Sequence, residues 1–261
     1  PFSVDGPFVD LMLNDKAKAA VDTHLPGVLA ALPPMLTGTK APTFGSIVTA
    51  RGLAGFTGKT IDMAPLDAAL KAIPVTDADR VARCERYDDD RPVFKTRKGK
   101  VRVLLFEKMT GFRDTPSVEA ANAMFRDMAK RMGWTLEVTD KGGSMHPKVL
   151  RQFDAVIWNN VSGDVLTLTQ RQAFRGFVER GGGFVGIHGS AGDPVYFWDW
   201  YPDTLIGARF IGHPMDPQFQ DAKVVMESSA SGIGTGLEPG WTMNDEWYSF
   251  AKSARLNGAN V

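Results

Sequence analysis

A histidine ends an apolar run within RGGGFVGIHGSAGD, residues Arg180–Asp193. The run GFVGI has the composition of a buried strand, and the glycines beside His188 allow a sharp turn and the close approach of a ligand. Open parallel sheets bind ligands at the carboxyl ends of their strands, and a neutral imidazole there can act as a general base or a metal ligand. We therefore expect His188 at the end of a central strand, beside a concave pocket, with a purely structural histidine as the alternative.

The elements that would position His188 follow from the pattern after Val101. Apolar runs alternate with helical patterns, and this alternation predicts strands joined by crossover helices. One helix is expected to begin at Thr115, and Thr169 is expected to cap a second helix that ends at Gly181. The expected strands are 101–107, 135–138, 154–160, 183–188 and 223–227. The predicted fold class is α/β, an open and mostly parallel sheet with helices on both faces.

The pattern divides the chain into three parts. Residues 1–73 are expected to form a small helical region, because Asn14 can cap a helix and Pro65 suits the first turn of another. Residues 74–100 carry runs of charged residues without apolar spacing, which predicts a solvated linker. Residues 101–261 are expected to form the α/β domain.

Composition argues against several kinds of partner. The 30 basic and 30 acidic residues give a formal net charge of +0, whereas nucleic acids and anionic membranes select basic surfaces. No stretch has the length and apolar character of a transmembrane helix. Cys84 is the only cysteine, so a disulfide within the chain is impossible and the compartment stays open between periplasmic or secreted and cytoplasmic. The sequence therefore predicts neither a nucleic-acid partner nor a membrane partner.

Four blocks after Val101 resemble the ThuA-like (trehalose utilisation) family, a branch of the class I glutamine amidotransferase-like superfamily. They read RVLLFEKMTGFRDTPS, QFDAVIWNNVSGDVLTLTQRQAFRGFVERGGGFVGIH, YPDTLIGARFIGHP and WTMNDEWYSF. The resemblance implies a flavodoxin-like or amidotransferase-like fold. It also implies a domain that is either incomplete at Val261 or completed by a second chain, and a homo-oligomer is the other partner considered. Residues 14–27 are similar, over that short stretch alone, to a helical module of secreted esterases and glycosidases.

The resemblance also assigns companions to His188. In amidotransferases the corresponding turn carries a cysteine nucleophile, and because Cys84 lies in the predicted linker, thiolate chemistry is excluded unless a partner supplies it. The companions implied by the family blocks are His213, Asp245 and Glu246. We expect these groups to converge on one site, either as an acid/base set or around a divalent metal such as zinc. His188, His213 and Glu246 would then be the metal ligands.

Further residues are candidates for binding a substrate. They are Arg113, Asp164, Ser190, Trp198 and Trp247. Ser190, two residues past His188, could alternatively be a nucleophile, although a serine in a turn more often caps the backbone. Aromatic faces stack on the C–H faces of sugars and also fill cores. Related sequences carry histidine after the arginine, whereas this chain has Asp114, and that departure leaves the role of the position open.

Two functions fit these features. The first, implied by the resemblance, is an enzyme that hydrolyses or eliminates an oxidised (3-keto) glycoside or disaccharide such as a trehalose derivative. A keto group acidifies the neighbouring C–H bond, so a base such as His188 could remove that proton. The alternative is a non-catalytic carbohydrate-binding or assembly module that kept the sheet and lost the nucleophile. In both, the expected partner is a small-molecule carbohydrate.

Overall fold

The computed structural model describes residues 1–55, 60–95, 101–227 and 232–260. The chain forms two compact units, Pro1–Val195 and Tyr196–Val261. The predicted fold class, an α/β sheet preceded by a helical region, is confirmed. The domain boundaries predicted at residues 73 and 101 both lie within the first unit. That the parts on either side of them are separate domains stays a prediction. Within the described residues, no helix has both the length and the apolar character needed to cross a bilayer.

Short helices build the first part of the first unit. They are α1 (Phe8–Met12), α2 (Asp15–His24), α3 (Val28–Ala31), α4 (Pro34–Thr37), α5 (Ala50–Gly55) and α6 (Ala64–Lys71). Helix α2 begins where the sequence predicts, because the Asn14 side chain accepts a hydrogen bond from the Ala17 N–H at 2.9 Å. Helix α6 has Pro65 in its first turn, as expected. The helices enclose an apolar core that includes Phe8 and Leu66.

The segment between the helical region and the sheet, which the sequence predicts to be a solvated linker, makes specific contacts. It contains helix α7 (Asp77–Cys84), which begins with a reciprocal capping box. Beyond the helix, the Asp88 carboxylate accepts hydrogen bonds from the backbone N–H groups of Gly142 and Gly143, at 3.0 and 3.2 Å. A run of charges in sequence does not reveal such partners, which are distant in the chain, and the division of the chain at this segment stays a prediction. Residues 96–100 of the predicted linker lie outside the described residues.

A four-stranded parallel sheet forms the second part of the first unit. Its strands are β1 (Arg102–Phe106), β2 (Thr135–Thr139), β3 (Ala155–Asn159) and β4 (Gly183–Ile187), in the spatial order β2, β1, β3, β4. Strand β1 is buried from Val103 to Phe106, as expected for a strand with neighbours on both sides and helices on both faces. Because β4 is the outer strand of the described sheet, the expectation that His188 follows a central strand is wrong.

Two long helices cross between the strands. Helix α8 (Thr115–Met132) begins where the sequence predicts, with the short helix α9 (Pro147–Leu150) following β2. Helix α10 (Leu168–Glu179) is capped by Thr167, which forms a capping box with Gln170. The predicted cap, Thr169, is therefore two residues too late, because the reciprocal partner at the third helical position favours Thr167.

The second unit contains two antiparallel pairs of strands. Strand β5 (Phe210–Gly212) pairs with β8 (Ser249–Phe250), and β6 (Gln220–Val225) pairs with β7 (Gly240–Asp245). The segment 223–227, predicted as a fifth strand of the parallel sheet, falls partly within β6 and pairs with β7 instead. An apolar run indicates a strand but does not specify its partner, and the alternating burial along β6 is that of a ribbon with one open face.

Candidate functional site

His188 follows β4 in an uncommon backbone conformation. Its φ is +44°, and it begins a 3-10 turn, His188–Ala191. Positive φ is uncommon for a residue with a side chain, and such strained positions cluster at ligand-binding and catalytic sites. The predicted place of His188, at the carboxyl end of a strand, is confirmed.

The His188 imidazole is oriented by the residue that follows β3. Its Nδ1 atom lies 2.8 Å from Oδ1 of Asn160, which also accepts a hydrogen bond from the Gly189 N–H at 3.3 Å. The Asn160 Nδ2 group donates to Asn159 Oδ1 at 3.0 Å and to Ser117 Oγ at 3.1 Å, so the amide is oriented with its oxygen toward the imidazole. An acceptor at 2.8 Å requires Nδ1 to carry hydrogen, and the neutral ring then has its lone pair at Nε2.

A carboxylate lies near the same ring nitrogen. The Asp114 Oδ2 atom is 3.7 Å from His188 Nδ1. Asp114 also caps helix α8, since its side chain accepts from the Ser117 N–H at 3.5 Å. Asp114 stands where related sequences carry a histidine, and it places a carboxylate beside His188.

The strand order of the sheet reverses between β1 and β3, and His188 follows β4, the neighbour of β3. The chain passes from β1 outward to β2 and then returns to β3 on the other side of β1, and ligands of doubly wound sheets bind at such points. Asn159, at the end of β3, donates through Nδ2 to the Glu107 carboxylate at 3.3 Å and to the Val118 carbonyl at 3.0 Å. Hydrogen bonds thus connect Glu107, Asn159, Asn160 and His188 across the ends of three strands.

Ser190 has a structural position. Its hydroxyl donates to the Trp158 carbonyl at 2.9 Å and accepts from the Val161 N–H at 3.0 Å. The residue is buried, with 1% of its surface exposed. These bonds fix the turn after β4 against the end of β3, and they give no support to Ser190 as a nucleophile or a substrate ligand.

A buried carboxylate joins the loops that follow β1, β3 and β4. Asp193 accepts from Ser162 Oγ at 2.5 Å and from the Gly163 N–H at 2.6 Å, and the Phe112 N–H donates to Ser162 Oγ at 2.9 Å. Burial raises the pKa of Asp193 to about 7, although both hydrogen bonds act in the opposite direction. Asp193 therefore fixes the geometry of the loops that carry Asp114, Asn160 and His188.

The remaining candidates of the first unit differ in exposure. Arg113 is exposed, and its Nη1 lies 3.1 Å from the Met109 sulfur. The Asp164 carboxylate forms an ion pair with Arg171 and accepts from the Tyr87 hydroxyl at 2.5 Å. Burial, with the neighbouring carboxylate, raises the pKa of Tyr87. Asp164 is thus held by two protein partners, whereas Arg113 stays a candidate for binding a substrate.

The second unit brings two of the predicted companions together. His213 Nε2 lies 3.3 Å from Glu246 Oε1, and His213 Nδ1 lies 2.9 Å from the Pro214 carbonyl. Glu246 also accepts from Gln218 Nε2 at 2.5 Å. Both ring nitrogens of His213 therefore lie near oxygen atoms that can accept hydrogen bonds. Asp245 accepts from the Glu246 N–H at 2.8 Å, which bends the chain after β7.

The aromatic candidates also lie in the second unit. The Trp198 ring is 5.1 Å from Trp200 and 6.1 Å from Tyr201, between centroids. Trp247 donates from its indole to the Gln220 carbonyl at 2.7 Å. Both tryptophans are half-buried, so each combines packing with a partly exposed surface, and their role in binding a sugar stays a prediction.

The described residues give the predicted zinc no ligand set. Among residues 1–55, 60–95, 101–227 and 232–260, no group of three or more His, Cys, Asp or Glu side chains is arranged to hold a metal. The convergence of His188, His213 and a carboxylate on one site stays a prediction from the sequence.

Two residues of this geometry, Asn160 and Asp193, were not predicted from the sequence, and Asp114 was noted there without a role. Asn160 and Asp193 both stand just beyond a strand, in WNN and HGSAGD, and Asp114 follows the arginine after β1. Their only signal is this position, because polar residues that follow parallel strands meet at one edge of the sheet.

Comparisons with known proteins agree with this architecture. A family model described as ThuA, trehalose utilisation, matches residues 102–261. The chain is similar to a solved structure of a ThuA-like protein from Bacteroides uniformis ATCC 8492. The identity is 22% and the TM-score 0.51, over 64% of this chain and 67% of that chain. At this identity the likeness shows the fold alone. No curated protein matches the chain.

Proposed function

The chain belongs to the ThuA family of trehalose utilisation, and on that premise we propose that it processes an oxidised (3-keto) glycoside, such as a trehalose derivative. His188 is the general base. The observation that carries the proposal is the 2.8 Å contact between His188 Nδ1 and Asn160 Oδ1, at the end of β4. The contact favours the Nδ1–H tautomer of the neutral ring, whose lone pair is at Nε2, where a base requires it.

The reaction proposed is a proton abstraction beside a ketone. The His188 Nε2 atom takes the proton from the carbon between the carbonyl and the anomeric centre, and the electron pair of that C–H bond forms a carbon–carbon double bond. The glycosidic oxygen leaves with the electrons of its C–O bond and takes a proton that the imidazolium returns. Addition of water across the double bond afterwards gives net hydrolysis.

The neighbours of His188 have defined roles in this scheme. Asn160 holds the Nδ1 hydrogen and so presents Nε2 to the substrate. Asp114, 3.7 Å from Nδ1, stabilises the imidazolium that forms when the proton is taken. Arg113, on the same loop as Asp114, is exposed and can bind a hydroxyl or anionic group of the sugar. No step requires the zinc considered from the sequence.

The test uses a 3-keto glycoside and its unoxidised parent in buffered D2O. We expect exchange of the C–H hydrogen beside the ketone and release of the free sugar from the keto compound alone. The variant His188→Gln should lose both, whereas His24→Gln, a substitution of an exposed histidine in α2, should keep both. Binding of the keto sugar without exchange or cleavage would favour the alternative, a carbohydrate-binding module, and sink the enzyme proposal.

A further inference from the structure

The helical region buries two arginines against one carboxylate. Arg86 Nη2 lies 2.7 Å from Asp10 Oδ1, and Arg83 Nε lies 3.4 Å from Asp10 Oδ2. The exposed fractions of the three side chains are 10% for Arg86, 20% for Arg83 and 12% for Asp10. These three side chains carry one positive charge in excess, which the Asp79 carboxylate offsets in part through its electrostatic interaction with Arg83.

The same guanidinium groups have donors without acceptors. Among the described residues, the Nε and Nη2 atoms of Arg83 and the Nε atom of Arg86 are buried and have no hydrogen-bond partner. The Arg83 guanidinium lies 4.3 Å from the centre of the Phe2 ring, a contact that leaves its donors unsatisfied. Buried polar groups are hydrogen-bonded in the great majority of cases, and the exceptions call for a bound water or ion.

A cavity of about 280 Å³ lies beside Arg86. Its polar lining includes Lys40, Thr39, Thr43 and Ser46, and the exposed Glu85 adds one carboxylate. The Thr43 hydroxyl is directed to the Met35 and Gly38 carbonyls at 3.1 and 2.9 Å. A second cation and two further hydroxyls therefore line the same cavity as Arg86.

We propose that this cavity is a binding site for a phosphate group, with Arg86 and Lys40 as its cationic ligands and the Thr39 and Ser46 hydroxyls as further donors. A phosphate offers several acceptor oxygens, and its negative charge complements Arg86 and Lys40, two cations that line the cavity. The volume is sufficient for inorganic phosphate or for the phosphoryl end of a small metabolite. The proposal does not depend on the function proposed for His188.

The site is close to the loop after β1. The Thr43 N–H, at the wall of the cavity, donates to the Thr110 carbonyl at 3.0 Å. A Cβ atom on Gly111 would lie 2.5 Å from the Ile47 side chain, so the two segments are in tight contact. A phosphate in the cavity would therefore touch the segment that supports Arg113 and Asp114.

The experiment measures binding of inorganic phosphate to the whole chain by isothermal titration calorimetry, with a sugar phosphate and acetate as parallel ligands. Lys40→Met removes an exposed cation of the cavity, and Lys16→Met, at an exposed lysine of α2 outside it, is the matched control. We expect Lys40→Met to weaken phosphate binding roughly tenfold, the loss of about one charge-assisted hydrogen bond, and Lys16→Met to leave it unchanged. Tighter binding of the sugar phosphate would identify a metabolite, and equal binding would identify free phosphate.

Arg86→Met removes the ion-pair partner of Asp10, so it also disturbs the packing of the helical region. It is therefore compared with Ser46→Ala, which keeps all three charges of the Asp10, Arg83 and Arg86 cluster. Ser46→Ala should weaken phosphate binding while the melting temperature without ligand stays near that of the parent chain. The proposal is overturned if phosphate gives no heat in the millimolar range, if acetate binds as tightly as phosphate, or if Lys40→Met and Ser46→Ala both bind phosphate like the parent.

Discussion

The Nδ1 atom of His188 and the Oδ1 atom of Asn160 lie 2.8 Å apart, and both residues have positive φ, +44° and +55°. The two side chains come from the ends of neighbouring parallel strands, β4 and β3. Asparagine tolerates the left-handed region better than most residues. The positive φ therefore costs less conformational free energy at Asn160 than at His188. The pair therefore concentrates strain at the position where the proposed base acts.

Asn160→Ala should reduce turnover by about tenfold to a hundredfold, as does loss of a group that orients a functional histidine. The physical reason is that Nδ1 loses its acceptor, so the tautomer with the lone pair at Nε2 is no longer favoured. Nitrogen NMR of the His188 ring measures the tautomer directly, alongside kcat. Asn160→Asp, which keeps an acceptor, should recover part of the rate. An unchanged tautomer in Asn160→Ala would contradict the assignment.

Asp193 should make stability depend on pH. Burial raises its pKa from 3.8 to about 7, so the folded chain holds a proton that the unfolded chain has lost in that range. The stability that this bound proton contributes to the folded chain is fully present below about pH 3.8. It falls as the pH rises from about 3.8 to about 7, and it is gone above about pH 7.

Urea unfolding of the parent chain and of Asp193→Asn across pH 4–8 measures this contribution as a difference. The parent should lose at least about 1 kcal/mol relative to the variant over the window, since one pKa unit corresponds to about 1.4 kcal/mol. Parallel curves for the two proteins would show that Asp193 titrates normally.

Gly163→Ala should destabilise the fold by about 2 kcal/mol or more. The residue has a φ of +82°, and an added Cβ would lie 2.6 Å from the Gly111 backbone nitrogen. Gly55→Ala, at the end of α5, is the matched control, because nothing lies within 4 Å of its added Cβ. Thermal unfolding of both variants tests the difference, and similar melting temperatures would mean that the loops after β1 and β3 can separate without cost.

The predicted convergence of His188 with His213 and Glu246 is open to a kinetic test. If these groups act together, His188→Gln and Glu246→Gln should each remove most of the turnover, and the double variant should be little worse than either single one. Independent effects that multiply would assign Glu246 to a different task, such as holding His213, from which it lies 3.3 Å away. Circular dichroism of each variant controls for folding.

Part of the secondary structure can be predicted from local sequence patterns. The strands β1 to β4 and the helices α2, α6 and α8 arise from apolar runs, periodic stripes and capping residues within a few positions of each other. Their recognition therefore requires no knowledge of the fold. The segment 223–227 shows the limit, because its apolar run indicates a strand equally well for a parallel sheet and for the antiparallel ribbon that β6 forms with β7.

The sequence by itself determined the α/β class, the membership of the family and the place of His188 after a strand, since all three depend on order along the chain. Only the tertiary structure decided which groups orient that histidine. Asn160 is 28 residues away from it, and Asp114 lies on another loop, so their approach depends on which strands are neighbours. Strand order is set by packing of whole faces against helices, a collective property that no short stretch of sequence carries.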